Sequence, residues 1–206
     1  MLTDILIQLL GFVGITLGIL ALQFNTHKNI VLFKTLAEIP YLIQYIFLDA
    51  YVGMVMGVIG ITRNLIFKHR VSKNQSNKPF IILFCFITLI AGIFTIALSW
   101  NQTLSVMNKF STNYSIKTLL AIVFSSLSIF AKILTTIAYG IKEPKILRRL
   151  NLPASILWLV YNFVFFSISG ILHEIFVTAS IIVAMIRFRN SPSNNEPKLN
   201  ESNKSL

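Results

Sequence analysis

Charge is what this sequence has least of. Only 12% of its 206 residues are Asp, Glu, Lys or Arg, against 55% hydrophobic. A soluble domain carries about a quarter charged residues, so this chain lacks the polar surface that a soluble domain of its size presents to water. Acidic residues are scarcer still, 7 against 18 basic. A single cysteine, Cys85, excludes an intramolecular disulfide and reads as a small buried hydrophobe. Three widely separated histidines leave no cluster of metal ligands. His173-Glu174-Ile175-Phe176-Val177 begins like a zinc-protease helix but lacks the second imidazole one turn on. Nucleophile elbow, phosphate loop and paired catalytic carboxylates are all missing. No enzyme, no cofactor and no metal site is therefore expected. The start, Met1-Leu2-Thr3-Asp4, has neither a positive n-region nor a small-residue cleavage site, so the first apolar run is expected to stay as a span.

What is there is apolar sequence in long runs. A helix needs about 20 apolar residues to cross the hydrocarbon core. Seven segments meet that scale, at about 4–23, 30–48, 51–67, 80–98, 116–140, 146–166 and 171–188. The expected fold class is all-α: a polytopic membrane protein whose partner is the lipid bilayer. Trp100 and Tyr114 bracket a polar connection and suit a membrane interface. The tail, 190–206, is polar and rich in Asn, Ser and Pro, and is expected to be a disordered cytoplasmic segment.

The net charge of +11 superficially suggests nucleic acid, but the basic residues stand at the ends of apolar runs, as they do in cytoplasmic loops. With the N-terminus placed outside, fourteen basic residues fall on the inner side: Lys28, Lys34, Lys68, Arg70, Lys73, Lys78, Lys142, Lys145, Arg148, Arg149, Arg187, Arg189, Lys198 and Lys204. Lys109 and Lys117 fall outside, and Arg63 and Lys132 lie within spans. That asymmetry predicts N-out, C-in and an odd number of spans, with no nucleic-acid partner.

A repeat is visible at a shift of 117 residues, which lays Gly53 on Gly170, Leu42 on Leu159, Lys28 on Lys145 and Arg70 on Arg187. Three spans is an odd number, so a lone fourth span must intervene for two triplets to lie parallel. The domains expected are a three-helix bundle over 1–70, a linker with the fourth helix over 71–115, and a second three-helix bundle over 116–189.

Several local sequences resemble one family. Gln23-Phe24-Asn25, the basic turn after it, the aromatic second span, Asp49-Ala50-Tyr51-Val52-Gly53 and Gly60-Ile61-Thr62-Arg63-Asn64 look like the YgjV-type bacterial inner-membrane proteins. Lys142-Glu143-Pro144-Lys145 and Trp158-Leu159-Val160-Tyr161-Asn162 resemble the same family, and the likeness covers roughly 4–189. It implies a multi-pass protein of the bacterial inner membrane. Its 3+1+3 layout is similar to that of the SWEET and PQ-loop transporters, which implies a carrier of a small polar solute working by rocking of the two bundles. The Pro-Gln pair of the PQ-loop group is absent, and the first and fifth spans hold no proline. The alternative is a non-transporting membrane protein acting through lateral contacts, and a homo-oligomer stays open.

Candidate site residues follow from polarity inside apolar runs. Glu38, Arg63 and Lys132 are ionisable residues that must face a bundle interior or cavity and be paired. They read either as a charged gate or as a static ion pair, with Glu38 in reach of either cation. Asn64, Tyr161, Asn162 and Glu174 are the substrate-binding candidates, since amides offer donors and an acceptor to a polar solute, or else they bond between helices. Pro40 and Pro153 each remove a backbone donor and read as hinges or as static kinks. Under the 117-residue shift they fall one turn apart on the same helix face. Gly11, Gly14 and Gly18 of the first span, and Gly53, Gly57 and Gly60 of the third, form small-residue faces expected to pack those two spans together.

Overall fold

A computed structural model describes residues 2–47, 51–165 and 168–189. The expected tail at 190–206 and the turn at Asp49-Ala50 lie outside the described residues, and the turn at 167–170 lies partly outside them. Eight helices are present among those described: α1 (Leu2–Leu22), α2 (His27–Phe47), α3 (Tyr51–Ser72), α4 (Lys78–Leu98), α5 (Trp100–Met107), α6 (Tyr114–Gly140), α7 (Pro144–Val164) and α8 (Ile168–Arg187).

Local chemistry sets the boundaries. Asn74 takes the left-handed conformation, φ 54°, just past α3. Its N–H reaches the Val71 carbonyl and the Gln75 N–H reaches that of Arg70, the paired bonds that close a helix on an αL residue. Asn113 caps α6 by accepting from the N–H groups of Ser115 and Ile116 at 2.9 and 3.4 Å. Pro79 and Pro144 open α4 and α7 at positions where a missing N–H costs nothing.

Among the described residues, three helices are long and apolar enough to cross a membrane: Lys78–Leu98, Tyr114–Gly140 and Gly170–Arg187; a shorter apolar stretch is Leu9–Leu22. The fold is all-helical and polytopic. α2, α3 and α7 fall below that apolar standard, and they carry Lys34 and Glu38, Arg63 and Lys68, and Arg148 and Arg149. Two boundaries differ from expectation. His27, read as part of a polar turn, starts α2, and Lys68 to Ser72 continue α3 beyond its apolar run. The polar connection after α4 contains a helix, α5, whose Thr103 and Met107 are buried. Trp100, Leu104 and Met107 recur at helical spacing and pack beside Ala121 and Val164, a stripe that the polar residues between them obscured.

α1 packs on α2 and α2 on α3, while α6 packs on α7 and α7 on α8. Across the halves, α1 meets α8 and α3 meets α6; α4 lies mainly against α6, with a smaller contact to α3. Exchanging α1 with α6, α2 with α7 and α3 with α8 leaves the pairings within and across the halves unchanged. The glycine faces do not draw the first and third spans together, as the sequence had suggested. Both receive side chains of α2, which runs between them in the packing order. A Cβ on Gly11 would meet the Gln44 amide at 3.2 Å, one on Gly14 the Tyr41 ring at 2.8 Å, and one on Gly57 a Leu42 methyl at 3.3 Å. Gly18 instead approaches His173 of α8, at 3.9 Å from its added Cβ.

Gly140 ends α6 where the halves are tied, and a Cβ there would run into the Ile81 side chain and stand 3.4 Å from the Phe67 ring. Gly140→Ala is expected to cost about 1–3 kcal/mol through overpacking, read as a lowered Tm in detergent. An unchanged Tm would mean that Ile81 swings clear without strain.

Candidate functional site

Between the two halves lies a cavity of about 840 Å³ lined from α1, α2, α3, α4, α5, α6, α7 and α8. Its polar lining comes from one face of α2, where Lys34, Glu38 and Tyr41 recur at helical spacing, from α7, where Asn151, Ser155, Trp158 and Asn162 do the same, and from α6, where Ser125, Ser128, Lys132, Thr135 and Tyr139 do so. The 117-residue interval runs through the lining. Lys34 and Asn151, Glu38 and Ser155, Tyr41 and Trp158, Gln44 and Tyr161, Ile15 and Lys132, and Gly57 and Glu174 are all lining pairs at that separation.

Arg63 is the most constrained of the charged residues. Its side chain is 3% exposed and its Nη2 stands 3.8 Å from Glu38 Oε1. Its Nη1 donates to the Thr136 hydroxyl at 2.9 Å, and its Nε and Nη2 donate to Asn64 Oδ1 at 3.1 and 3.0 Å. The guanidinium also lies 5.4 Å from the centre of the Tyr139 ring. Each donor edge of the fork is therefore occupied, which is how a buried cation avoids its desolvation cost. Gly60 makes room for the pair, because a Cβ there would sit 2.6 Å from Glu38 Oε2. Across the cavity, the Ser155 hydroxyl donates to Glu174 Oε2 at 2.5 Å and lies 2.9 Å from the Thr178 hydroxyl. The Tyr41 hydroxyl meets His173 Nδ1 at 3.3 Å.

Toward the basic loops the cavity meets a packed layer. Leu22, Ile30, Val31, Phe67, Phe84, Leu147, Val177 and Ile181 form one buried cluster there. Polar ties reinforce it. Leu22 and Tyr139, themselves 117 residues apart, stand at the carboxyl ends of α1 and α6, where carbonyls lose their helical partners. Each carbonyl is taken by a basic side chain from the opposite half: Arg148 Nε reaches Leu22 O at 3.2 Å, and His27 Nε2 meets Tyr139 O at 2.7 Å. Arg148 Nη2 donates to the Phe24 carbonyl as well. Gln23 Nε2 donates to the Ser180 hydroxyl at 2.8 Å, and Asn77 Nδ2 to the Gly140 carbonyl at 2.9 Å. Toward the other end, the lining runs up to Ser99 and Thr103 at the α4–α5 junction and to Gly170 in the first turns of α8.

The sequence candidates divide accordingly. Glu38, Arg63, Lys132, Tyr161, Asn162 and Glu174 line the cavity, whereas Asn64 does not. Asn64 is fully buried and its amide oxygen serves Arg63; neighbouring positions on a helix point about 100° apart, so only Arg63 of the two faces inward. Of the two cations offered to Glu38, Arg63 stands within ion-pair distance. Pro40 is buried and Pro153 exposed, so the two prolines do not share one face. Two residues counted as loop charges are interior ones. Lys34 lines the cavity, and Arg148, only 1% exposed, spans the two halves. Lys34, Tyr41, Gln44, Ser155, Trp158 and His173 were not singled out as site residues from sequence. The α2 members were findable, because Lys34 and Tyr41 share the Glu38 face.

The family model for a bacterial inner membrane protein, Imp-YgjV, matches the chain over residues 5–122 and 118–191. No curated protein and no solved structure matches it.

Removing Arg63 leaves Glu38 without its counter-charge. Arg63→Met is expected to destabilise the protein by about 3 kcal/mol, and the double replacement Glu38→Gln/Arg63→Met by much less. Thermal unfolding in detergent measures both. Equal losses in the single and double variants would show that the ion pair contributes nothing.

Proposed function

This chain belongs to the Imp-YgjV family of bacterial inner membrane proteins, and from that footing we propose that it is a carrier for a small polar solute. The observation that carries the reading is the cavity, polar and charged within an apolar helical protein, meeting on one side a layer that joins the two halves. A membrane protein acting only through lateral contacts has no need to keep three basic and two acidic side chains around an internal space, since intramembrane charge is costly.

In this reading all seven long helices cross the bilayer, α1–α3 and α6–α8 being two like-facing triplets and α4 the connector. Lining pairs at 117-residue separation and a packing pattern that survives exchange of the halves support a repeat of that kind. The basic ends face the cytoplasm. With Lys34 and Arg148 taken out of the loop tally, twelve of the original fourteen basic residues remain there against two outside, which still supports N-out, C-in. The chain then rests in a state closed on the cytoplasmic side, and transport requires the ties from Gln23, His27 and Arg148 to part as the triplets rock. Pro40 in α2 and Pro153 in α7 interrupt the two middle helices and are the positions where bending costs least backbone hydrogen bonding.

Liposome counterflow of a labelled panel of sugars, amino acids and organic acids tests whether the protein exchanges solute. Bridging the closed side tests the rocking. With Gln23→Cys and Ser180→Cys in a Cys85→Ser background, a bifunctional methanethiosulfonate, which bridges the thiols through two disulfides, is expected to stop exchange, and reduction to restore it. A bridged protein that exchanges at the full rate contradicts the rocking model.

A further inference from the structure

The charges around the cavity do not balance. Among the described residues, Lys34, Arg63 and Lys132 face it from α2, α3 and α6, and only Glu38 and Glu174 answer them. Glu38 is engaged by Arg63 at 3.8 Å, while the remaining donors of Arg63 are held by Thr136 and Asn64. Glu174 is held by the Ser155 hydroxyl. Lys34 and Lys132 are left, and among the described residues neither ammonium has a hydrogen-bond or ion-pair partner in contact, Glu38 and Glu174 acting on them only from farther away. Both are partly accessible, and both line the cavity. An ammonium held at such depth without a counter-ion is costly. An incoming anion removes that cost, while a cation or a neutral sugar does not.

The walls narrow the anion further. Beside its polar side chains the lining includes Tyr41, Trp158 and Tyr161, with Phe12 and Ile15, an apolar wall that an inorganic ion does not use. Such a lining suits a molecule with a carbon body and one charged end. The excess is one positive charge when all five groups are ionised. We propose that the cavity takes a small organic monocarboxylate, its carboxylate met by Lys34 and Lys132 and its body by the aromatic walls. As a substrate class this rests on the carrier reading; as a binding site it does not.

Trp158 lines the cavity beside Tyr161 and reports on it. Trp100 is the second of the two tryptophans, so Trp100→Phe leaves Trp158 as the single fluorophore. In nonionic detergent, iodide is expected to quench Trp158 at least about twofold more effectively than caesium, because a positive cavity concentrates anions. Lys34→Gln and Lys132→Gln, singly and together, are expected to shrink that preference while quenching by neutral acrylamide stays the same, which shows the fold to be intact. Sodium acetate, lactate, hexanoate and benzoate serve as probes at constant ionic strength; at least one is expected to protect Trp158 from iodide saturably, with succinate and phosphate weaker. Equal quenching by iodide and caesium, a preference indifferent to both lysines, or no protection by any of the four acids overturns the proposal. Counterflow of the protecting acid in liposomes separates the two readings. Protection without counterflow leaves the anion site standing and removes the carrier. Counterflow of a neutral solute that survives loss of both lysines keeps the carrier and removes the anion site.

Discussion

A bilayer interior solvates no charge, yet the helices of this chain carry Lys34, Glu38, Arg63, Lys132 and Glu174 inward around one internal space. Their tolerance rests on two devices. One is saturation: Arg63 spends its donors on Asn64 and Thr136, pairs its charge with Glu38 and lays its face toward Tyr139. The other is the cavity itself, which gives the lysine ammonium groups an interior space in place of hydrocarbon. The first device fixes α3 against α6 and so joins the halves beneath the cavity. The second makes the space polar. Glycine takes part in both, since Gly60 admits the Glu38 carboxylate, and Gly11 and Gly14 admit Gln44 and Tyr41.

The side toward the basic loops is built from ordinary helix ends. A helix finishing inside a protein leaves carbonyls unpaired, and a basic side chain is their natural partner. Here the partners come from the wrong half in sequence, Arg148 for α1 and His27 for α6. The bonds that complete each first helix therefore also hold the halves together. Cross-capping of this kind reinforces the hydrophobic layer packed between the halves, and it localises the polar contacts that must break for the halves to separate.

The helices and their approximate ends were legible in the sequence because twenty-residue apolar runs have one structural solution in lipid. Several lining residues also stand in pairs at the 117-residue interval noted in the sequence. What escaped were side chains whose role depends on which way one helix face turns. Arg63 and Asn64 are adjacent, and only packing decides that Arg63 sees the cavity while Asn64 props it from behind. Lys34 and Arg148 looked like topology markers because their neighbours along the chain are basic or lie near a loop. Rotation about α2 and α7 turns them inward. The glycine stripes misled for a related reason: a small residue shows that something approaches closely, not which helix supplies it. α5 was missed because four apolar residues in eight are a weak signal beside polar neighbours.

Sided access to the cavity is the claim on which the account of this protein stands. Ser128 lines it on α6, one turn before Lys132. With Ser128→Cys in a Cys85→Ser background, an impermeant sulfonated thiol reagent is applied either to intact spheroplasts or to inverted vesicles. The account predicts modification in spheroplasts, from the face opposite the basic loops, and none in inverted vesicles. Modification in inverted vesicles, or in neither preparation, would contradict it.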